Sequence, residues 1–347
     1  MDYKSKLLDI VSDFSNKKII TAGDIMLDVS EIGKVKKVSA EAACLVVGNP
    51  IISYFLGGAA NVFSNAVSLG SNPYLCGVIG DDLDGRKFLD AVGELCAENK
   101  YHAEKLGIII LSDRKTTVKR RTYVNGGHYL QQMIRVDSED TNEIDDNIAL
   151  IAVDDLTKTF KEKNGINILA FSDYAKGFLT STSVQMFRSF CKERKIKTIV
   201  DPKPALEHPK KLEKFIGCYG FKPNREEAAI ISGIKYNGNN LNDIGKKCMD
   251  ILQPEGFLII TCDKDGAYLF TPDSKIEHLP VNKVDVSDVT GAGDTFLSTL
   301  SLSLSTGASI YDSGRIANLA SSEKVKKRGT ATVSKKELTD LIERVSI

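Results

Sequence analysis

Between Lys18 and Thr261, short runs rich in Ile and Val alternate with longer segments of helical period. A run that is apolar throughout belongs in the middle of a sheet, and joining two such runs in parallel needs a crossover helix. The pattern therefore points to an α/β domain, with a mostly parallel central sheet covered by helices on both faces. The expected strands are Lys18–Ala22, Tyr74–Ile79, Gly107–Leu111, Ile166–Phe171, Lys197–Val200, Cys218–Phe221 and Phe257–Thr261. Helices are expected at Ala59–Leu69 (closed by Gly70), Gly85–Ala97, Asp146–Lys161, Thr182–Arg194, Arg225–Ile231 and Asn242–Ile251, with two or three more after Gly293. No Pro/Gly/Ser linker, repeat or low-complexity tract interrupts this order, and 347 residues with 42% hydrophobic content can bury a substantial core. A single domain over 1–347 is the expectation.

Two stretches break the alternation. Ile32 to Phe55 is β-prone without helical period, and within Thr116 to Asp137 the triplet Asn125-Gly126-Gly127 separates two strand-like runs as a hairpin would. These predict a small separate sheet, placed to cover a substrate site as a lid. Its open edges are also suited to pairing between subunits.

Composition excludes several classes of function. Lys+Arg 46 against Asp+Glu 46 leaves no net charge, so no nucleic acid or anionic membrane partner is indicated and any basic site must be local. The seven cysteines form no Cys-x-x-Cys pair and have no histidine at ligand spacing, which argues against a disulfide framework or a zinc site and fits a reducing cytosol. The first 18 residues mix charges with apolar residues, and no run approaches membrane-spanning length. A cytoplasmic protein is the expectation.

The chemistry concentrates near Asp288-Val-Thr-Gly-Ala-Gly-Asp-Thr-Phe296. A β-branched run, Val281 to Val289, leads into Gly291-Ala292-Gly293, and a helix is expected from Asp294 to about Ser305. Glycines let backbone N–H groups approach a ligand, and a helix start offers unpaired donors, so anions should collect there. Asp294 at such a place is either a base awaiting a hydroxyl proton or an ordinary N-cap. Three further constellations carry similar alternatives. Gly23-Asp-Ile-Met-Leu-Asp28 closes the opening strand, where Asp28 could fix sugar hydroxyls or cap a turn. Gly57-Gly58-Ala-Ala-Asn61 suits close approach of a polyhydroxy ligand or a tight turn. Asn224 and Glu227 could hold a hydrated Mg²⁺ or form a capping box. There is no Gly-x-x-x-x-Gly-Lys-[Ser/Thr], and Gly291-Ala-Gly293 lacks the third glycine and the early position of a dinucleotide fingerprint.

Taken in order, Gly-Asp-x-x-x-Asp, Gly-Gly-x-x-Asn, Asn-x-x-Glu and Asp-Val-Thr-Gly-Ala-Gly-Asp-Thr resemble the ribokinase/PfkB family of sugar kinases over nearly the whole chain. Within that family, Val38-Ser-Ala-Glu-Ala42, Thr116-Thr-Val-Lys-Arg-Arg121, Gln131-Gln-Met-Ile-Arg-Val-Asp137, Ser172-Asp-Tyr-Ala-Lys-Gly177, Asp201-Pro-Lys203 and Lys327-Arg-Gly-Thr-Ala-Thr-Val333 resemble the D-glycero-β-D-manno-heptose 7-phosphate kinases. The resemblance implies a ribokinase-like fold with a β-lid, and ATP- and Mg²⁺-dependent phosphorylation of the anomeric hydroxyl of a heptose 7-phosphate in ADP-heptose and lipopolysaccharide-core synthesis. It implies Asp294 as base and the amides of Gly291, Ala292 and Gly293 as anion hole. Asp28, Gly57, Gly58 and Asn61 fall at the sugar, and Lys119, Arg121, Arg135, Lys176 and Lys203 at its phosphate. Asn224 and Glu227 fall at Mg²⁺, held through water, and the nucleotide phosphates, and Thr261, Gly266 and Asn318 along the ATP cleft. A homodimer through the lid is implied, and K⁺ dependence stays open. Asp263 stands where many relatives have glycine, and Ala43-Cys44-Leu45 replaces a proline-containing lid stretch. The four histidines (102, 128, 208, 278) make no nucleotidyltransferase His-x-Gly-His motif, so the kinase step alone is expected. The alternatives are another PfkB-type kinase, acting on an unphosphorylated sugar or a nucleoside, and a silent sugar or nucleotide sensor. An intact Asp294 and glycine turn speak against the latter.

Overall fold

The computed structural model describes residues 2–101, 106–125, 130–160, 165–203, 209–281 and 284–345, without the side chains of 209–211. Helix α1 (Tyr3–Ser12) leads into β1 (Lys18–Gly23), and β2 (Ile25–Val38) with β3 (Leu45–Gly58) form a long hairpin. The chain returns through α2 (Ala59–Ser68), β4 (Tyr74–Gly80), α3 (Leu83–Glu98) and β5 (Gly107–Leu111). A second excursion, β6 (Val118–Asn125) and β7 (Leu130–Ser138), precedes α4 (Asp146–Thr159), β8 (Ile166–Ser172), α5 (Ser181–Arg194), β9 (Lys197–Asp201) and the short β10 (Gly220–Phe221). Then follow α6 (Arg225–Ser232), α7 (Leu241–Leu252), β11 (Phe257–Thr261), β12 (Ala267–Phe270), β13 (Ile276–Leu279), α8 (Ala292–Ser305), α9 (Ile310–Lys324) and α10 (Lys335–Arg344).

The main sheet runs β13-β12-β11-β10-β9-β8-β1-β4-β5 and is parallel except at the β11-β12-β13 edge. Strand side chains alternate between two buried faces. Ile20, Leu258 and Ile260 join Phe171, Phe187 and Phe215 on one side, while Ile19, Phe257 and Ile259 join Phe296, Leu300 and Ile316 on the other. Burial on both faces is why these strands read as continuous apolar runs rather than alternating ones.

The second sheet, β3-β2-β6-β7, matches the small separate sheet expected as a lid. Its register sorts its side chains. Lys119 pairs with Asp28 and Asp137, and Arg121 with Ser30 and Arg135, so these residues share one face. The intervening residues face the other way, which leaves Ile52, Tyr54, Ile134 and Val136 between 37% and 55% exposed. Gly126 and Gly127 lie outside the described residues, but Asn125 pairs with Leu130 as a hairpin requires.

Several boundaries differ from expectation. The lid begins at Ile25, not Ile32, because the chain leaves β1 through Asp24 alone, and Asp28 therefore sits on a lid strand rather than at the end of the opening one. The expected strand Cys218–Phe221 shrinks to two residues. No strand forms over 284–289, since Ser287 and Asp288 give their N–H groups to the Val325 carbonyl beyond α9. Helix α8 starts at Ala292, two residues before Asp294, with Gly291 as N-cap at φ 80°. The β12-β13 hairpin and α1 are additions. The hairpin strands are only four residues long, and α1 buries only Leu7 and Val11 beneath a charged surface, so neither stood out.

Candidate active site

Asp294 lies in the first turn of α8, where the chain rises from the Gly291 turn, and is 4% exposed. It is not the N-cap. Its carboxylate instead accepts two long-range hydrogen bonds, from Asn61 Nδ2 to Oδ2 at 2.8 Å and from the Tyr174 hydroxyl to Oδ1 at 2.9 Å. Asn61 is placed by the first turn of α2, which β3 feeds through Gly57 and Gly58. One turn on, Asn65 accepts from the Thr295 hydroxyl at 2.9 Å, so α2 and α8 are pinned side by side. Burial, with the negative field of Asp201 added, raises the Asp294 carboxyl to about 6, against the opposing pull of Lys203, Asn61 and Tyr174. Burial and the neighbouring Asp294 also hold the Tyr174 phenol far above its usual range, so it remains a donor.

The glycines of this centre are required by space. At Gly291 a Cβ would stand 2.6 Å from Asn61 Nδ2, and at Gly57 it would stand 2.5 Å from Asp28 Oδ2. Gly58 turns through φ 60°, where a Cβ would meet the Asp24 carbonyl oxygen at 2.3 Å.

The cations expected from sequence divide into two groups. Arg121 Nη1 sits 2.5 Å from Asp28 Oδ1, Arg135 is paired with Asp137 at 2.8 Å and Lys176 with Glu139 at 2.6 Å. Lys119 approaches within 5.1 Å of the Tyr174 ring, and burial, with Lys176 and Arg135 adding to it against Asp28, lowers its pKa. Lys203 belongs to the other group. It also lies 5.1 Å from the Tyr174 ring, but its ammonium contacts Glu227 Oε1 at 3.1 Å and Asp201 Oδ1 at 3.5 Å. Burial works against that charge, yet Asp201 and Glu227 outweigh it and raise the Lys203 pKa. Lys203 is thus beside Asp294 and Glu227 rather than with the lid cations. Beneath Arg121 and Asp28, the lid and the 287–290 and 328–330 loops enclose a cavity of about 330 Å³ that Tyr123, Gln132, Asp288 and Arg328 also line.

Asn224 and Glu227 form a complete capping box at the start of α6, with Glu227 N–H donating to Asn224 Oδ1 at 2.8 Å and Asn224 N–H to Glu227 Oε2 at 2.7 Å. The capping reading is therefore real, and it leaves Oε1 for Lys203 or a cation. Thr261 bridges to Asn224. Gly266, at φ 80°, lets the β11-β12 turn pass under Leu279, whose carbonyl oxygen a Cβ would meet at 2.3 Å. Asn318 spends its amide on that same carbonyl at 2.8 Å. A wider cleft of about 660 Å³ is lined by their chain neighbours Arg225, Cys262 and Asp265 and by Pro280 and Val281, but not by Asn224, Thr261, Gly266 or Asn318 themselves. Asp263 adopts φ 50°, the left-handed backbone that glycine takes most easily, and its carboxylate lies 3.3 Å from Arg225.

Sequence reasoning gave no role to Tyr174, Asp201, Asn65 or Asp24. Asp24 is 3% exposed and accepts the N–H groups of Tyr174, Lys176 and Phe178, which shapes the loop that carries Tyr174. The signal available for Tyr174 and Asp201 was position, since Asp201 ends β9 and Tyr174 lies two residues beyond β8, both at carboxyl ends of main-sheet strands.

The chain resembles known proteins at both levels. The bifunctional protein HldE of Caulobacter sp. (strain K31) is 34% identical over 329 residues, covering 94% of this chain. That of Geobacter sulfurreducens is 33% identical over 321 residues, covering 92%. The chain spans 63% and 61% of these two relatives, respectively. Among solved structures, phosphofructokinase-2 from Escherichia coli in complex with potassium superposes with a TM-score of 0.72 at 15% identity, over 94% of this chain and 98% of that one. Ribokinase from Arabidopsis thaliana complexed with ribose and ATP gives 0.69 at 18% identity, over 95% and 99%. Both establish the ribokinase-like fold. Residues 132–337, more than half of the chain and including the Gly291 turn and Asp294, match the pfkB family carbohydrate kinase description, and the chain belongs to that family of sugar kinases.

Proposed function

We propose that this chain transfers the γ-phosphoryl group of ATP to the anomeric hydroxyl of D-glycero-D-manno-heptose 7-phosphate, the kinase step toward ADP-heptose and the lipopolysaccharide core. The observation that carries the chemistry is the Asp294 carboxylate. It is buried and held by two neutral donors, with a pKa near 6, so it is ionised at neutral pH and basic enough to take a hydroxyl proton. An anomeric hydroxyl, more acidic than other sugar hydroxyls, suits such a base.

In this reading the Gly291–Gly293 turn at the start of α8 receives the transferring group, where the helix end favours negative charge, although the expected Ala292 donor already gives its N–H to the Val289 carbonyl at 3.2 Å. Kinases of this family use ATP with a divalent metal. A hydrated Mg²⁺ suits Glu227 Oε1, and the metal would neutralise phosphate charge there. Asp28 and Asn61 orient the sugar, and Lys119, Arg121, Arg135 and Lys176 hold its phosphate, with Lys203 nearer the transfer point. All but Lys119 among these cations have carboxylate partners, so the substrate phosphate competes with Asp28, Asp137 and Glu139 for charges already assembled. The single domain is supported by the continuous sheet. A homodimer is supported by the apolar outer face of the lid, where a second copy would cover Ile52, Tyr54, Ile134 and Val136; sedimentation of the wild type against a lid-face Ile134→Glu variant tests it.

The function is tested by coupled ADP release over heptose 7-phosphate, fructose 6-phosphate, ribose and adenosine. Preference for heptose 7-phosphate is expected, and equal use of ribose would overturn the phosphate-binding part of the proposal.

A further inference from the structure

One buried charge next to the Gly291 turn has no part in the chemistry above. Lys324, the last residue of α9, is 0% exposed, and its side chain runs under the turn, with Cε 3.7 Å from where a Gly291 Cβ would stand. Among the described residues its ammonium finds one hydrogen-bond acceptor, the Lys327 carbonyl oxygen at 3.1 Å. A buried ammonium with a single neutral acceptor is costly. Burial, with Lys327 adding to it, lowers its pKa, while Asp288 and Asp294 pull the other way. Asp288 does not form a close ion pair with it. Its two oxygens are taken by the N–H groups of Thr290 at 2.9 Å and Gly329 at 2.8 Å, tying the loop before α8 to the loop after α9. The ammonium of Lys327 points elsewhere, to the Thr332 carbonyl oxygen and Glu337. Lys324 is thus a fixed positive charge, deficient in partners, directly behind the turn where the phosphoryl group is read to bind.

We propose that the Lys324 ammonium is a resident cation of the phosphoryl-transfer site, opposing from behind the Gly291 turn the negative charge that arrives with the substrate phosphates, and that it fills the place a free monovalent cation would otherwise need. Its one acceptor among the described residues is a main-chain carbonyl, and the Asp288 carboxylate that attracts it is already committed to backbone amides. This rests on the reading of the Gly291–Gly293 turn as the anion site. Being fixed by the fold, the charge needs no reorganisation when the reaction begins.

The test compares wild type and Lys324→Met in choline, K⁺ and NH₄⁺ chloride at constant ionic strength, with heptose 7-phosphate and ATP as substrates and ADP binding by calorimetry as a second readout. Wild-type rates are expected to be independent of the cation. The methionine variant should lose roughly 10²-fold in kcat, the size of a missing charge-stabilising group, with KM for the sugar little changed. It should bind ADP more weakly, and K⁺ or NH₄⁺ but not choline should restore part of both. A wild-type enzyme that needs K⁺ overturns the proposal, and this arm decides even where the variant fails to fold. A folded variant with normal kcat and cation-independent ADP binding also overturns it and leaves Lys324 as a helix-end charge. Failure of the anion-site reading shows separately, as a Gly293→Ala enzyme with wild-type kcat and ADP binding, since a Cβ there meets no protein atom nearer than Lys222 Nζ at 3.4 Å and would intrude on a bound phosphate.

Discussion

Replacing Asp294 by Asn separates catalysis from stability, because the structure assigns the carboxylate opposite effects on the two. Asn keeps the size of the side chain and can still accept from Asn61 while its amide donates to the Tyr174 oxygen. It cannot take a proton from a sugar hydroxyl, so kcat should fall by ~10²–10⁴-fold while ATP still binds. Stability should move the other way. The folded state holds the Asp294 carboxyl at about 6 against an ordinary 3.8. A raised acid pKa means that the native state binds the proton more tightly than the unfolded chain. The associated stability is therefore complete below pH 3.8 and lost as pH rises through about 6. Above pH 7 the native protein carries a buried carboxylate at a cost of about 3 kcal/mol, from a shift of about two units at 1.36 kcal/mol each. Relaxation around the new amide reduces the return, so Asp294→Asn should be more stable than wild type by roughly 1–3 kcal/mol at pH 8 and by much less at pH 5. Urea unfolding at the two pH values measures this alongside turnover. Turnover within a few-fold of wild type would refute the base, and a stability difference that is the same at both pH values would refute the burial of an ionised carboxylate.

Tyr174→Phe removes a donor that holds the Asp294 pKa down, so the acidic limb of the kcat/KM profile, expected near pH 6, should move to higher pH; an unmoved limb would show that the 2.9 Å contact does not act on the base. Glu227→Gln keeps the capping box but removes a charged oxygen from Oε1, and Mg²⁺ titration at saturating sugar should show a raised requirement; an unchanged titration leaves Glu227 as a cap alone. Arg121→Ala should raise KM for heptose 7-phosphate by at least about tenfold, as loss of a charge-assisted bond to phosphate implies, while KM for ATP stays nearly unchanged; steady-state kinetics with each substrate varied decides it.

The alternation of apolar runs with helical segments was enough to specify the main sheet, because strands buried on both faces must be apolar throughout. The break in that alternation located most of the lid, since β-prone residues without helical period and a glycine hairpin signal leave no crossover helix. The glycines at 57, 58 and 291 stood out by their spacing, and the structure gives them a steric reason, while the carboxylates at 28 and 294 stood out by their motifs and prove buried. Pairing between distant segments was not legible. Nothing local to Tyr174 marks it as the partner of Asp294, 120 residues away. Nor does anything local to Arg121 say that Asp28 would occupy it. The pKa of Asp294 belongs wholly to tertiary structure, since desolvation and the field of Asp201 exist only once α2, α8 and the ends of β8 and β9 meet. The start of α8 was decided the same way. Its first turn begins where Gly291 turns left-handed against Asn61 and Lys324, side chains brought there by two other helices.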